Sequence, residues 1–220
     1  MLASAALAMA WTEAGLARPQ AYAPEEKIPL IVIDNVPLTD AIRNLARQME
    51  LNYILDSRIM GRKGLFAKEP SVSYRWENLT AEEGLRRVLK DHKLKMVLSP
   101  ATSVARIVGT NIAAVPVPAS EVGTDSKGPI PLVQMDSMPV SEAIKQLAKH
   151  SGINILFAPP AQAALENPGG SREAATISLR WRNITGRQAL AALLDNYDLM
   201  LVEDATKPVA RIELRTRIRK

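Results

Sequence analysis

Apolar and polar residues recur along this chain with two different periods, and the order of those periods is written twice. From Ile28 the side chains alternate, Leu30 and Val32 to one side and Ile31 and Ile33 to the other, as in a short strand. Pro37 then opens a helix, its ring fixing φ near the helical value where a missing N–H costs little. Leu38, Ala41, Ile42, Leu45 and Met49 fall at i, i+3, i+4, i+7 and i+11, which predicts one buried face. NYILD predicts a second strand, followed by a loop. Beyond the loop Val72, Tyr74 and Trp76 alternate with Ser73, Arg75 and Glu77, placing the indole on the core face and Arg75 toward solvent. Thr80 with Glu83 three residues on is a capping box, and Leu85, Val88 and Leu89 give the helix it starts a buried stripe. KMVL and VARIV close the unit as two strands.

The same text returns from Ile130. IPLIVIDNVPLTDAIRNLARQMELN is matched by IPLVQMDSMPVSEAIKQLAKHSGIN at an offset of 102 residues. After a loop three residues longer in the second copy the offset becomes 105, pairing Trp76 with Trp181, Arg75 with Arg180, Thr80 with Thr185, and VARI at 104–107 with VARI at 209–212. Two copies of one unit are implied, each reading β-α-β-β-α-β-β. The expected fold class is α+β, with two tandem domains that each pack two helices on small mixed or antiparallel sheets. The expected boundaries are a leader over 1–27, a first domain over 28–108, a linker over 109–129 and a second domain over 130–220. The linker, GTNIAAVPVPASEVGTDSKGP, is rich in Pro, Gly and Ser and has no period, apart from a possible extended stretch at Ile112–Val117.

These residues resemble a known family. Pro-Leu-Thr-Asp-Ala-Ile-Arg-Asn-Leu-Ala, then Leu-Asn, then Val-Ser-Tyr-Arg-Trp-Glu-Asn-Leu-Thr-Ala-Glu-Glu-Gly-Leu, are similar to the STN domain, the short N-terminal domain of secretins and of signalling TonB-dependent receptors. The second copy follows the family pattern better, through Gly152-Ile153-Asn154 and Ala189-Leu190, where the first has Glu50 and Gly84. The resemblance covers about residues 28–108 and 130–214 and is a packing pattern without fixed chemical groups. It implies a periplasmic location and a role in protein–protein contact. No secretin channel, receptor plug or barrel sequence accompanies the two copies, so only the recognition role carries over.

Charge and candidate chemistry change this picture little. Of the net charge of +5, most lies in RIELRTRIRK, where five basic residues stand against Glu213 alone. Arg211, Arg215, Arg217 and Arg219 alternate there with Ile212, Leu214 and Ile218, which reads as a guarded sheet edge or as a docking strip for an acidic partner, a nucleic acid or an anionic lipid. Aromatics are scarce on the strip, which argues against single-stranded nucleic acid. Arg75 and Arg180 are the other candidate partner-binding residues, as a repeated outward pair that could hold an anion. His92 and His150 are the only histidines and belong to no repeated position or ligand spacing. Gly61, Gly64, Gly169 and Gly170 lie in inter-strand loops without phosphate-loop spacing. With no cysteine and no visible nucleophile–base pair, no catalytic residue, cofactor or metal site is expected.

MLASAALAMAW with AGLA and AYA reads as an export signal with small-x-small cleavage sites, although no Lys or Arg precedes Arg18 and Pro24 would hinder cutting after Ala23. A disordered leader or a misplaced start codon is the alternative. The expectation is therefore a non-enzymatic periplasmic adaptor of a cell-envelope assembly, binding through exposed sheet edges or helix faces, with homo-oligomers possible. The second reading is a binder of anionic surfaces acting through the basic C-terminal strand.

Overall fold

The computed structural model describes residues 26–59, 65–113, 117–118, 122–123, 128–168, 174–204, 206 and 208–215. The first half contains β1 (Ile28–Pro37), α1 (Leu38–Gln48), β2 (Tyr53–Leu55), β3 (Ser71–Leu79), α2 (Ala81–Asp91), β4 (Leu94–Ser99) and β5 (Val104–Gly109). The second contains β6 (Ile130–Pro139), α3 (Val140–His150), β7 (Ile155–Phe157), α4 (Pro159–Glu166), β8 (Thr176–Ile184), α5 (Gly186–Asn196), β9 (Leu199–Val202) and β10 (Ala210–Leu214). The architecture is α+β, and the expected element order is present in each half. One element was not foreseen. The longer loop of the second copy holds α4, begun by Pro159 and Pro160 and anchored by buried Ala161 and Leu165.

Each half makes two small sheets. The first pairs β1 with β3 antiparallel and sets β5 between β2, which is parallel to it, and β4, which is antiparallel. The second repeats this with β6–β8 and β7–β10–β9. Four left-handed backbone positions are duplicated. Asn35 and Ser137, Glu50 and Gly152, Asn78 and Asn183, and Lys93 and Asp198 all have positive φ, and each pair is related by the sequence offset. Asn35 and Ser137 sit in matching bulges, where their N–H groups donate to Ser73 and Ser178 Oγ, both at 2.9 Å.

Both capping boxes form. Thr80 Oγ1 accepts from the Glu83 N–H at 3.1 Å, and Thr185 Oγ1 from the Gln188 N–H at 3.3 Å, with Glu83 and Gln188 returning the contact. Helices α1 and α3, which follow Pro37 and Pro139, lack such a cap; in α1 the Glu69 carboxylate instead takes the Thr39 N–H at 2.8 Å. Helices α1 and α2 close over one apolar core and α3 and α5 over another, and the second core also takes in Ile54 and Val104 from the first half.

Candidate functional site

The two halves are joined by more than a linker. The outer edge of β2 would present bare carbonyls, and the second half covers them. Trp181 Nε1 donates to the Tyr53 carbonyl at 2.8 Å, and Asn196 Nδ2 to that of Leu55 at 3.0 Å. Asn52 behaves like a strand residue toward β8, its side-chain amide exchanging hydrogen bonds with both backbone groups of Arg182, at 2.8 and 2.7 Å. Ile54 and Val104 are buried on the outward face of the first three-stranded sheet, 4% and 2% exposed.

At the centre of this junction lies Arg106, on β5. Its guanidinium takes Asp56 Oδ2 at 2.7 Å and Asp195 Oδ2, from the far half, at 2.6 Å. Arg58 makes a second ion pair with Asp56 at 2.8 Å, and Arg215 one with Asp195 at 3.3 Å. Burial alone would raise the Asp56 carboxyl, but hydrogen bonds from Arg58 and the charge of Arg106 hold it below the usual carboxylate range. Asn196 is almost wholly buried here, and its Oδ1 has no hydrogen-bond partner.

The counterpart of this covered surface in the second half is open among the described residues. Leu156 stands where the repeat has Ile54 and is 56% exposed; Val209 stands where it has Val104 and is 39% exposed. Arg211 is the repeat partner of Arg106 and is exposed, and the place of Asp56 is taken by Ala158, which offers it no carboxylate. Asn154, the counterpart of Asn52, is exposed as well.

The expected partner-binding residues are thus scattered. Arg75 is exposed on β3 opposite Val32, itself 57% exposed. Arg180, on β8, lines a cleft of about 270 Å³ between the halves, together with Arg43 and Arg47 of α1, Arg182, and Tyr53, whose phenol burial pushes up. In that cleft Arg43 is paired with Asp40 and Arg182 with Glu50, both at 2.7 Å. The C-terminal strand departs from expectation in two ways. Strand β10 is the middle strand of its sheet, so its arginines do not guard an edge. Arg215 also extends the β10–β9 ladder, its N–H donating to the Asp198 carbonyl at 2.8 Å, while its side chain is taken up by an ion pair with Asp195. Arg217 and Arg219 lie outside the described residues, as do Gly61, Gly64, Gly169, Gly170 and the export-like leader up to residue 25.

Other expectations are modified by packing. Trp181 is fully buried, whereas Trp76 is half-buried, stacked on Tyr74 with ring centroids 4.5 Å apart. The indole of Trp76 also leans on Gly84, where an added Cβ would come within 3.3 Å of it; that contact accounts for a glycine in place of the alanine of the second copy. Two described residues of the linker are packed. Val117 and Val122 are buried, and Ser99 Oγ donates to the Val117 carbonyl at 3.4 Å. His92 meets the edge of Phe66 and lies 3.4 Å from the Tyr74 hydroxyl. Among the described residues no group of three His, Asp or Glu side chains could hold a metal, and no helix is long and apolar enough to cross a membrane. No family model and no curated protein matches this chain.

Arg106, Asp56, Asp195 and Asn196 are marked by no motif or charge cluster in the sequence. One signal was present: an arginine in the middle of the apolar strand VARIV, repeated in VARIEL. A charge at a buried strand position needs a countercharge, and both of its partners come from outside its own strand.

Proposed function

We propose that this chain is a non-enzymatic interaction module of the bacterial cell envelope, an adaptor that recognises a protein partner through a sheet face and a strand edge. The observation that carries the reading is the open surface of the second half, where Leu156, Val209 and the outer edge of β7 stand exposed although their counterparts in the first half are covered. An exposed edge strand beside an apolar face supplies backbone hydrogen bonds for affinity and side chains for selectivity. The resemblance to the STN domain and the export-like leader support a periplasmic setting and a secretion, pilus or receptor-signalling assembly as the partner class.

A photo-reactive amino acid placed at Leu156 or Val209, in cells that make the protein naturally, tests this. The expected outcome is a crosslink to a cell-envelope protein from both positions and none from Arg86, on the exposed side of α2. Equal labelling from all three positions, or none from any, would sink the adaptor reading. A C-terminal basic strip for anionic surfaces finds less support, because Arg215 is turned inward to Asp195.

A further inference from the structure

The chain contains a worked example of how its own sheet face is covered. In the first half the β2 edge and the face bearing Ile54, Val104 and Arg106 are occupied by a second unit of the same kind, which contributes an indole, a small helix face and a carboxylate. The helix face is Ala192, 5% exposed, and the carboxylate is Asp195 one turn later. The second half repeats the receiving surface in Asn154, Leu156, Val209 and Arg211, all exposed among the described residues. It omits the internal countercharge, since Ala158 replaces Asp56, and two polar contacts of the first junction, since Pro159 and Gly152 stand in the places of Ser57 and Glu50.

We infer that the outer face of β7 and β10 is a socket for a further unit of this same β-α-β-β-α-β-β type, carried by a partner protein and presenting a carboxylate to Arg211. This deepens the adaptor reading and rests on it. The mode of seating follows the first junction: the partner's indole and amide donate to the free carbonyls of β7, and its helix lays small side chains over Leu156 and Val209.

A second copy of this chain does not fit. Its free unit is the first half, and there the repeat counterparts of Ala192 and Asp195 are Arg87 and Lys90, both exposed. Docked in the same way, Lys90 would face Arg211 and the long Arg87 side chain would lie on the apolar face. Like charges brought together in this way weaken binding by orders of magnitude. Asp91, in the place of Asn196, would also point a carboxylate where the first junction has an amide donor.

The charge mismatch makes the socket testable without knowing the natural partner. A probe is made from the chain itself by R87A and K90D, with L156D added so that it cannot bind its own kind. Mixed with the wild-type chain and followed by sedimentation velocity, it is expected to form a 1:1 complex. R211E in the wild-type chain should weaken that complex about a hundredfold or more, since a desolvated charge pair is lost; L156D there should abolish it. Circular dichroism confirms that each variant is folded, and K90D with L156D serves in place of the probe if R87A unfolds it. A folded probe that stays monomeric beside the wild-type chain, or a complex indifferent to both L156D and R211E, overturns the socket. So does a wild-type chain that oligomerises alone through Leu156. Such results leave the adaptor reading to the crosslinks, which depend on the natural partner and not on the probe.

Discussion

Arg106 and Arg211 show how far one side chain's meaning depends on its surroundings. They occupy the same position of the same four-residue stretch, on matching strands, yet one is 7% exposed between two carboxylates and the other is exposed. Removing one member of a buried ion network leaves its partners charged and dry, which costs about 3–5 kcal/mol. Urea unfolding should therefore show R106L destabilised by about that amount, while R211L stays within about 0.5 kcal/mol of wild type, as surface substitutions usually do. Equal effects from the two would mean that the junction network carries no stability. The sequence shows both arginines and cannot tell them apart. What distinguishes them is Asp56 against Ala158 fifty residues away, together with Asp195 from the opposite half.

At the scale of elements, the chain is largely legible. Strand alternation and helical period locate the strands and four of the five helices among the described residues, because those elements bury one face and leave the other wet. Helix α4 escapes because eight residues with only Ala161 and Leu165 buried make too short a stripe to show a period. Trp76 and Trp181 escape in another way: alternation assigns both to the inner side of a strand, but the depth of burial depends on what the opposite half places there. The capping boxes are read directly from Thr-x-x-Glu and Thr-x-x-Gln. T80A and T185A should each destabilise by about 1 kcal/mol in chemical denaturation. T185A should cost the more, because Gln188 Nε2 also donates to the Ala101 carbonyl of the first half at 3.3 Å and is held in place by the box. A smaller loss for T185A than for T80A would show that this link across the halves contributes nothing.

For the molecule as a whole, the junction makes acid sensitivity a shared property of the two halves. The carboxyl of Asp56 is held below its ordinary value near 4 in the folded chain. Its contribution is complete above that unfolded value and is lost as pH falls through the lower folded one. The stability gap between wild type and D56N should thus be widest near neutrality and shrink as the pH drops below about 4. Thermal melts of both proteins over that range provide the check; a gap independent of pH would remove Asp56 from the acid response. The sequence shows a linker over 109–129 and nothing of how the halves meet, and this is the part that it conceals most. The hydrogen bonds of Asn52 to Arg182 depend on surfaces that exist only once both halves are folded.

Arg87 and Lys90 stand exposed on α2. Two units born as copies are interchangeable, and a row of such units can lengthen from either end. Here α2 carries charge where the second half has Ala192 and Asp195, while the face of β7 and β10 stands open among the described residues. A row built through the proposed contact would acquire a direction, with this chain at its first place.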